Sequence, residues 1–353
     1  MIEILFLPDI TPLKLPNKPI VIRASITTHR VILAEEWKEY PFAYNGCFGA
    51  ICDKKLIIGG GTYSDGQPTM KVFEESDITV RKFEPIMPLN YRRAGASAAY
   101  SPWHRKLIIA GGTSRHLGGF PFYELHNVEL LNTENSTSSE SSSLSSSRWI
   151  ACSDKMNGTL GSNVEVFSLL EYIVLVDKEY NKIYKGKVLE GRQQNGKQAR
   201  DRSSKQAPLS GISIEWESLP AMNKPRYNFS TIVLDNKWLV CIGGHTISED
   251  KCAKSWEFYR PESNKWTIGG DLPLCLQDAQ LLSLDVKNTP ASMRCIVIGG
   301  IRDHTISSCI SMFDFGNGHI IDFKDKYDRD YALKFLNIKD KFDVPKRCVG
   351  LII

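Results

Sequence analysis

A short apolar run that ends in two glycines recurs along the chain, and this recurrence constrains the fold more than any other feature. It reads KLIIGGG at Lys55–Gly61, KLIIAGG at Lys106–Gly112, WLVCIGG at Trp238–Gly244 and CIVIGG at Cys295–Gly300. Counted from Gly60, the glycine pairs are separated by 52, 132 and 56 residues. A fixed period has to be interpreted before any other motif, because repeats define the architecture.

The middle gap is about twice the others, which indicates a unit that has lost its glycines. The segment EYIVLVDKEY (Glu171–Tyr180) lies near the centre of that gap and carries the same apolar run, with Asp177 and Lys178 near the expected glycine positions. The period is therefore roughly 50 to 65 residues, a length typical of propeller blades and too long for most helical solenoids.

Each unit has the pattern of four short strands, which is clearest between Pro225 and Pro273. The segments NFSTIVLD, KWLVCIGG, SWEFYRPESN and KWTIGGDLP follow one another there, separated by turn residues. The first two are continuously apolar, as expected of inner strands covered on both faces, and the last two carry charges suited to the rim. Glycine tolerates positive φ and close backbone approach, so the glycine pair fits a turn that leaves a crowded inner strand. The alternative, a loop that cradles phosphate, requires a following helix, and no helical pattern follows these glycines.

The unit resembles the Kelch repeat in its glycine pair, in the aromatic residues that follow the pair and in the link that enters the blade. Gly243-Gly244 is followed by Tyr259 and then by Trp266, and LPAMNKPR (Leu219–Arg226) is similar to the family's link between blades. The likeness covers most of residues 40–325, with departures. The first unit has Phe73 and Phe83 in place of Tyr and Trp, the fifth has Phe313 but no Trp, and the third lacks the glycines. Eight glycines take the structural role that the resemblance implies: Gly60, Gly61, Gly111, Gly112, Gly243, Gly244, Gly299 and Gly300.

The sequence therefore predicts an all-β fold: a single Kelch-type β-propeller of four-stranded blades over residues 1–353, most simply with six blades. Five blades are predicted at about 44–90, 91–152, 160–221, 225–274 and 276–325. Residues 19–43 and 345–353 would share the sixth, with PIVIRAS, HRVILAE and EWKEYPF as its second, third and fourth strands and the C-terminal strand innermost. Such sharing closes the ring and removes exposed edges.

Two insertions and one helical pattern interrupt the repeats. Serine-rich residues 135–147 and polar, basic residues 191–206 fall between the third and fourth strands of the second and third blades, and both are predicted to be disordered. The basic insertion leaves two interpretations open, a solvated loop or a localisation or nucleic-acid patch. Residues 328–342 have helical spacing and are predicted to form a short helix.

Composition limits the compartment and the partners. The net charge of +4 over 353 residues is too small to indicate nucleic acid or a membrane surface as partner, and no run of 18 apolar residues occurs. The first ten residues lack a basic n-region and a full apolar region, so they are not interpreted as a signal peptide. The nine cysteines form no CxxC pair, which favours buried, reduced thiols in a cytoplasmic protein.

Candidate functional residues gather on one face, because the loops after the second strands and the links between blades must open together when strands alternate. We call it the first face. Arginine and tyrosine are favoured at interface hot spots, and the arginine fork matches carboxylates. The predicted partner-binding residues are Tyr63, Tyr91, Arg92, Arg93, Arg115, His116, Arg226, Tyr227, His245, Arg302, His304 and Arg347. A second role stays open for the arginines, which could instead tie blades together through backbone carbonyls.

The resemblance implies a protein-binding scaffold or adaptor that recognises a partner peptide, as Kelch adaptors do, including substrate receptors of cullin-RING ubiquitin ligases. Those receptors carry a BTB or F-box module, and this sequence shows neither, so contact with ligase components would need a module outside it. The alternative is a propeller enzyme, similar to galactose oxidases or sugar mutarotases. His116, His245 and His304 fall in first-face loops but without ligand spacing. No catalytic residue, metal or cofactor is predicted, and no enzymatic activity.

Overall fold

The computed structural model describes most of the inner framework of the chain. The described residues are 2–6, 20–25, 27–36, 45–52, 55–62, 68–77, 82–115, 122–124, 128–133, 148–152, 164–178, 180–190, 212–248, 251–284, 293–303, 305–307, 309–324 and 348–352. All regular secondary structure within these ranges is β-strand.

The strands, in chain order, group into six four-stranded antiparallel sheets and three smaller ones. They are β1 Ile2–Phe6, β2 Ile20–Ser25, β3 Arg30–Glu36, β4 Asn45–Cys52, β5 Lys55–Thr62, β6 Val72–Asp77, β7 Lys82–Ile86, β8 Ser97–Ser101, β9 Lys106–Ala110, β10 Thr113–Arg115, β11 Phe122–Glu124, β12 Val128–Asn132, β13 Trp149–Cys152, β14 Val164–Leu169, β15 Tyr172–Asp177 and β16 Lys182–Glu190. There follow β17 Ile212–Ser218, β18 Arg226–Tyr227, β19 Ser230–Leu234, β20 Trp238–Ile242, β21 His245–Thr246, β22 Ser255–Arg260, β23 Lys265–Asp271, β24 Leu276–Gln277, β25 Gln280–Ser283, β26 Arg294–Ile298, β27 Ile301–Arg302, β28 Thr305–Ile306, β29 Ile310–Asp314, β30 His319–Asp322 and β31 Cys348–Ile352.

The six four-stranded sheets are the blades of a propeller. From the centre outwards, their strand orders are β4-β5-β6-β7, β8-β9-β12-β13, β14-β15-β16-β17, β19-β20-β22-β23, β25-β26-β29-β30 and β31-β1-β2-β3. The innermost strands contact one another in a closed circuit, β4 to β8, β14, β19, β25, β31 and back to β4. The predicted fold class is confirmed: the six blades close into a ring, and strands from both chain termini share one blade.

The shared blade corrects one prediction. Its second strand is β1, with Ile4 fully buried between Ile22 and Gly350, so PIVIRAS and HRVILAE form the third and fourth strands rather than the second and third. The segment EWKEYPF, residues 36–42, was predicted as the fourth strand. Its residues 37–42 lie outside the described residues. The first six residues, MIEILF, are apolar except for Glu3, and this short apolar run was their strand signal.

The core is divided into layers between neighbouring blades. The second strands are buried almost throughout, as in β9 and β15, whereas the outermost strand β23 is largely exposed. One layer joins the fourth and fifth blades through Val240, Trp256 and Phe313. Because each sheet is covered by a neighbour on both faces, continuous apolar runs are the sequence pattern that suits it.

The glycine pair has a different role at each of its two positions, as the fourth blade illustrates. Gly243 has φ +65°, and a Cβ there would overlap the backbone of Leu276 in the link to the next blade. Gly244 has φ +83°, and a Cβ there would press on Tyr227 and Phe229 in the link that enters its own blade. The pair is therefore fixed between the two links, which leaves no room for a side chain.

The third blade keeps the sheet and loses the glycines. Its strands β15 and β16 pair from Tyr172 to Asp177, and only residues 178–181 connect them. The corresponding connection runs from 111 to 127 in the second blade and from 243 to 254 in the fourth. The connection on the first face is therefore much shorter in the third blade than in its two neighbours.

The two insertions occupy the predicted positions in the chain order. One separates β12 from β13 and the other separates β16 from β17, so each joins the third and fourth strands of its blade. Residues 134–147 and 191–211 themselves lie outside the described residues, and so does the predicted helix at 328–342.

The prediction of uniformly reduced thiols is wrong for one pair. Cys252, in the loop after β21, and Cys275, in the link between the fourth and fifth blades, form a disulfide with their Cα atoms 5.8 Å apart. The free cysteines include Cys241 and Cys295, both fully buried, and burial raises the pKa of each thiol. The disulfide depends on a contact between two segments that are distant in sequence, which residue spacing does not reveal.

Candidate binding face

The first face is built where each link between blades pairs with the segment that follows the glycines. Arg226 pairs with Thr246 through β18 and β21, and Leu276 pairs with Arg302 through β24 and β27. In the second blade, Ala94 forms a bridge with Thr113. Links and second-strand loops therefore share one face.

In the fourth blade, a buried ion pair holds the link. Arg226 and Glu257 are both fully buried, with Nη2 of the arginine 2.6 Å from Oε1 of the glutamate. Nη1 also donates to the carbonyls of Gly243 (3.1 Å) and Ser255 (2.9 Å). The carboxylate accepts the backbone N–H groups of Asn223 and Lys224 at 2.8 and 2.9 Å. A charge pair without solvent is tolerated only when its remaining hydrogen-bonding groups are satisfied, and here the backbone satisfies many of them.

The second blade repeats the same network with its own residues. Arg93 Nε lies 2.9 Å from Glu129 Oε1, and both side chains are fully buried. Glu129 accepts the backbone N–H of Asn90 at 2.7 Å, and Arg93 Nη1 donates to the carbonyl of Gly111 at 2.9 Å. Burial lowers the pKa of the Arg93 guanidinium, and the Glu129 carboxylate opposes this shift. The shared sequence pattern is Asn-x-x-Arg in the link, with a Glu in the third strand.

Tryptophan completes both networks from the fourth strand. The indole N–H of Trp266 donates to the carbonyl of Pro220, and that of Trp149 donates to the carbonyl of Met87, each at 2.8 Å. The side-chain amides of Asn223 and Asn90 donate to the carbonyls of the same two tryptophans. Sequence reasoning recognised Trp266 as a repeat marker but did not assign it this contact.

The fifth blade reaches a similar result with an arginine from a different position. Leu276 occupies the link position of Arg226, and Arg302, after the glycines, is buried instead. Its Nη1 lies 2.8 Å from Asp322, and its Nη2 donates to Ser311 at 2.6 Å.

These contacts bear on the two roles that the sequence left open for the arginines. Arg93, Arg226 and Arg302 have the geometry of ties within the blades, and a buried guanidinium offers no surface to a partner. We therefore do not include them in a binding surface. Of the other predicted residues, the side chains of Tyr63, Arg115, His116, His304 and Arg347 lie outside what the structure describes.

Four predicted residues do reach the surface of the first face. Tyr91 is 40% exposed, and partly exposed Arg92 donates to the carbonyl of Pro68 at 3.2 Å. Tyr227 and His245, both half-buried, stack with ring centroids 5.4 Å apart and planes 14° from parallel. His245 Nδ1 is buried without a hydrogen-bond partner among the described residues. Beside this stack, Ile247 is 56% exposed.

Sequence reasoning missed the residues over the third blade. Tyr180, in the tight connection after β15, is 46% exposed, and the exposed Lys182 ammonium lies 6.0 Å from the centroid of its ring. The backbone N–H of Tyr180 donates to Asp177 at 3.0 Å, which fixes the turn. Lys178 and Tyr180–Lys182 lie on the same face as residues 245–248 of the neighbouring blade, and we call this set of residues the third-blade notch. Its signal in the sequence was the break in the glycine pattern at DKEY.

Glu165 joins the third and fourth blades, with Lys178 as its partner within its own blade. The Lys178 ammonium lies 2.6 Å from Glu165 Oε1 on the inner strand β14, and Thr231 of β19 donates to the other oxygen of the same carboxylate. The lysine that replaces the second glycine is thus largely neutralised. Lys182 is the more exposed of the two cations, since Lys178 is only 11% exposed.

Within the described ranges, no group of three or more His, Cys, Asp or Glu side chains is arranged to hold a metal ion. No described helix is long and apolar enough to cross a membrane. The sequence matches no protein-family model and no curated protein. The fold itself defines the class: the protein is a six-bladed β-propeller.

Proposed function

We propose that this propeller is a Kelch-type protein-binding scaffold, and that it captures an acidic or polar peptide segment of a partner in the third-blade notch. The observation that carries the proposal is the short connection at residues 178–181, which carries an exposed tyrosine beside an exposed lysine where the two neighbouring blades have longer connections. A rim of paired strands suits a peptide, because the scaffold is ordered before binding.

The residue types in the notch support a peptide ligand. Tyr180 offers a large, stiff side chain at low entropic cost, and tyrosine is enriched at the centres of interfaces. The Tyr227–His245 stack and Ile247 provide apolar contact on the neighbouring blade. The exposed ammonium of Lys182 favours an acidic group on the ligand.

The Kelch assignment rests on residues whose surroundings are now described. The glycine pair, the tyrosine and the tryptophan that carry the resemblance all contribute to the contacts of the fourth blade. Kelch adaptors extend the proposal to a substrate receptor of a cullin-RING ubiquitin ligase. Co-purification of a cullin with the full-length protein tests that extension separately from the peptide site.

The peptide site is tested with a random peptide library displayed on phage and selected against the purified propeller. Tyr180→Ala should weaken the selected peptides by about tenfold or more while the melting temperature stays the same, because an exposed hot-spot tyrosine contributes to binding and little to folding. Lys182→Glu should weaken the acidic peptides most.

Trp103→Ala is the matched control, since Trp103 is an exposed aromatic, 66% accessible, in the turn between β8 and β9 on the opposite face. Selected peptides that bind Tyr180→Ala as tightly as wild type, but lose affinity for Trp103→Ala, would place the site on the other face. Stoichiometric copper or iron together with oxidase turnover would favour the enzyme alternative.

A further inference from the structure

The Cys252–Cys275 disulfide joins two elements of the first face that belong to different blades. Cys252 lies in the loop after the fourth-blade glycines, opposite His245 of the Tyr227–His245 stack, with which it forms a β-bridge. Cys275 lies in the link to the fifth blade. The bond therefore connects one wall of the third-blade notch to the next blade.

Cys275 is also fixed to the fifth-blade loop by its backbone. Its N–H donates to Asp303 Oδ1 at 2.9 Å, and the Asp303 N–H donates to the carbonyl of Cys275 at 3.1 Å. The other described ties between the fourth-blade loop and the fifth blade include one backbone hydrogen bond, from the Gly244 N–H to the carbonyl of Leu276 at 2.8 Å, and one ion pair. The Lys254–Asp303 pair is 3.7 Å long and both side chains are 57% exposed, so solvent screens it.

The first limb of the fourth-blade loop is held to its link, because His245 and Thr246 pair with Tyr227 and Arg226 and the Ile247 N–H donates to the carbonyl of Pro225 at 2.9 Å. Its second limb, residues 251–254, has fewer bonds. Ala253 N–H donates to the carbonyl of Gly244 at 2.8 Å, and Thr246 N–H donates to the carbonyl of Lys251 at 2.9 Å. Ile247 is exposed at the tip. The second limb is therefore the part of this loop that can open locally unless something else holds it. The disulfide provides that additional restraint.

We propose that this disulfide is a redox-controlled restraint on peptide capture: oxidised, it holds the fourth-blade wall of the notch in its binding position, and reduced, it releases that wall. The inference rests on the proposed function, because it concerns regulation of the same site. The reductant is a dithiol of the thioredoxin or dithiothreitol class.

The reduction balances in two thiol–disulfide exchange steps. Cys252 is half-buried, whereas Cys275 is almost fully buried, so the thiolate of the dithiol attacks Sγ of Cys252. The S–S bond breaks and its electron pair goes to Sγ of Cys275, which the Gln277 side-chain amide contacts at 3.5 Å and which then takes a proton. The second thiol of the reductant displaces Cys252. The protein gains two electrons and two protons, and the dithiol becomes its own disulfide.

The restraint is tested by hydrogen–deuterium exchange on the full chain, air-oxidised or treated with dithiothreitol. Reduction should accelerate amide exchange about tenfold in residues 244–254 and 301–303 and leave β9 and β15 unchanged, since local opening sets these rates. Cys252→Ser should exchange rapidly at the same residues without reductant and should not respond to it. Cys309→Ser is the matched control, because Cys309 is a partly exposed free cysteine of the fifth blade and should leave the response intact.

Regulation is tested with a phage-selected peptide that depends on Tyr180. Its affinity for the wild-type protein should fall at least about fivefold on reduction and should not change with reductant in Cys252→Ser. Equal affinity in the two redox states, with the dependence on Tyr180 intact, would overturn the regulation and spare the peptide site. Unchanged exchange on reduction, or free thiols at both positions in the air-oxidised protein, would overturn the restraint itself. If no peptide depends on Tyr180, the peptide site fails and the regulation fails with it.

Discussion

The fourth blade and the third blade build the same four-stranded sheet from different side chains. The fourth places a buried Arg226–Glu257 pair, two glycines and a tryptophan where its link crosses the sheet. The third has Tyr184 at the sheet position of Glu257 and Asp177 at that of the first glycine. The repeat therefore tolerates loss of its marker residues as long as the inner strands stay apolar.

The difference also shows what the marker residues do. Where a link must lie close to the sheet, a buried charge pair and two positive-φ glycines hold it there. Where the connection is a tight turn, those residues are not needed. Lys185, paired with Glu217 of its own blade at 2.6 Å, donates to Tyr259 of the fourth blade at 3.4 Å and so joins the two blades. The marker residues are thus tied to the links, and the third-blade surface is open to other uses.

Glu257→Ala should test the buried pair most severely. It leaves the Arg226 guanidinium buried without its carboxylate, and such changes cost about 3 to 5 kcal/mol of unfolding free energy. Urea denaturation monitored by tryptophan fluorescence measures the loss. Lys237→Ala, which breaks the exposed Lys237–Asp235 pair, is the control and should change little. A small effect of Glu257→Ala would mean that the link is held by its backbone contacts alone.

Gly243→Ala should cost about 2 to 3 kcal/mol, because it adds an overlap with Leu276 to the strain of positive φ. Gly318→Ala separates the two contributions. Gly318 also has positive φ, +71°, but a Cβ there would meet only Asp271 at 3.6 Å, so its cost should be about 1 kcal/mol. Equal losses in the two variants, measured by the same denaturation, would show that the crossing link does not require the glycine.

Tyr259→Phe should have the smallest effect, about 1 kcal/mol at neutral pH, since it removes the hydroxyl that donates to Asn264 at 2.7 Å. Burial raises the pKa of Tyr259 above 10.0, so the fold favours the neutral phenol. The contribution of Tyr259 to the unfolding free energy is fully present below its pKa in the unfolded chain and is lost as the pH rises through its pKa in the folded protein. Burial opposes the charged form of Lys185, but Glu217 and Tyr259 hold its pKa above 10.5. Lys185 therefore also makes the unfolding free energy fall as the pH rises. The unfolding free energy should therefore decline above about pH 10 and decline less in the variant. A loss as large as that of Glu257→Ala would contradict the contrast between the blades.

The repeat pattern was enough to predict the propeller, the number of blades and the closure by both termini, because each blade repeats the same burial and therefore the same apolar runs. It did not identify β1, since the first six residues carry no glycine pair. It also could not choose between the two roles of the arginines. Arg92 and Arg93 are neighbours of the same type in one link, yet the first is partly exposed and the second is fully buried.

By itself, the sequence determined the order of the blades, the sharing of one blade between the two chain ends and the face on which links and loops meet, because these follow from periodicity and from the alternation of strand direction. The tertiary structure decided which residues on that face are available. Burial of Arg93, Arg226 and Arg302 depends on glutamate, serine and aspartate side chains that arrive from distant strands. The Cys252–Cys275 bond and the exposure of Tyr180 likewise depend on where one blade lies against the next. These are contacts between segments far apart in the chain, and no local spacing encodes them.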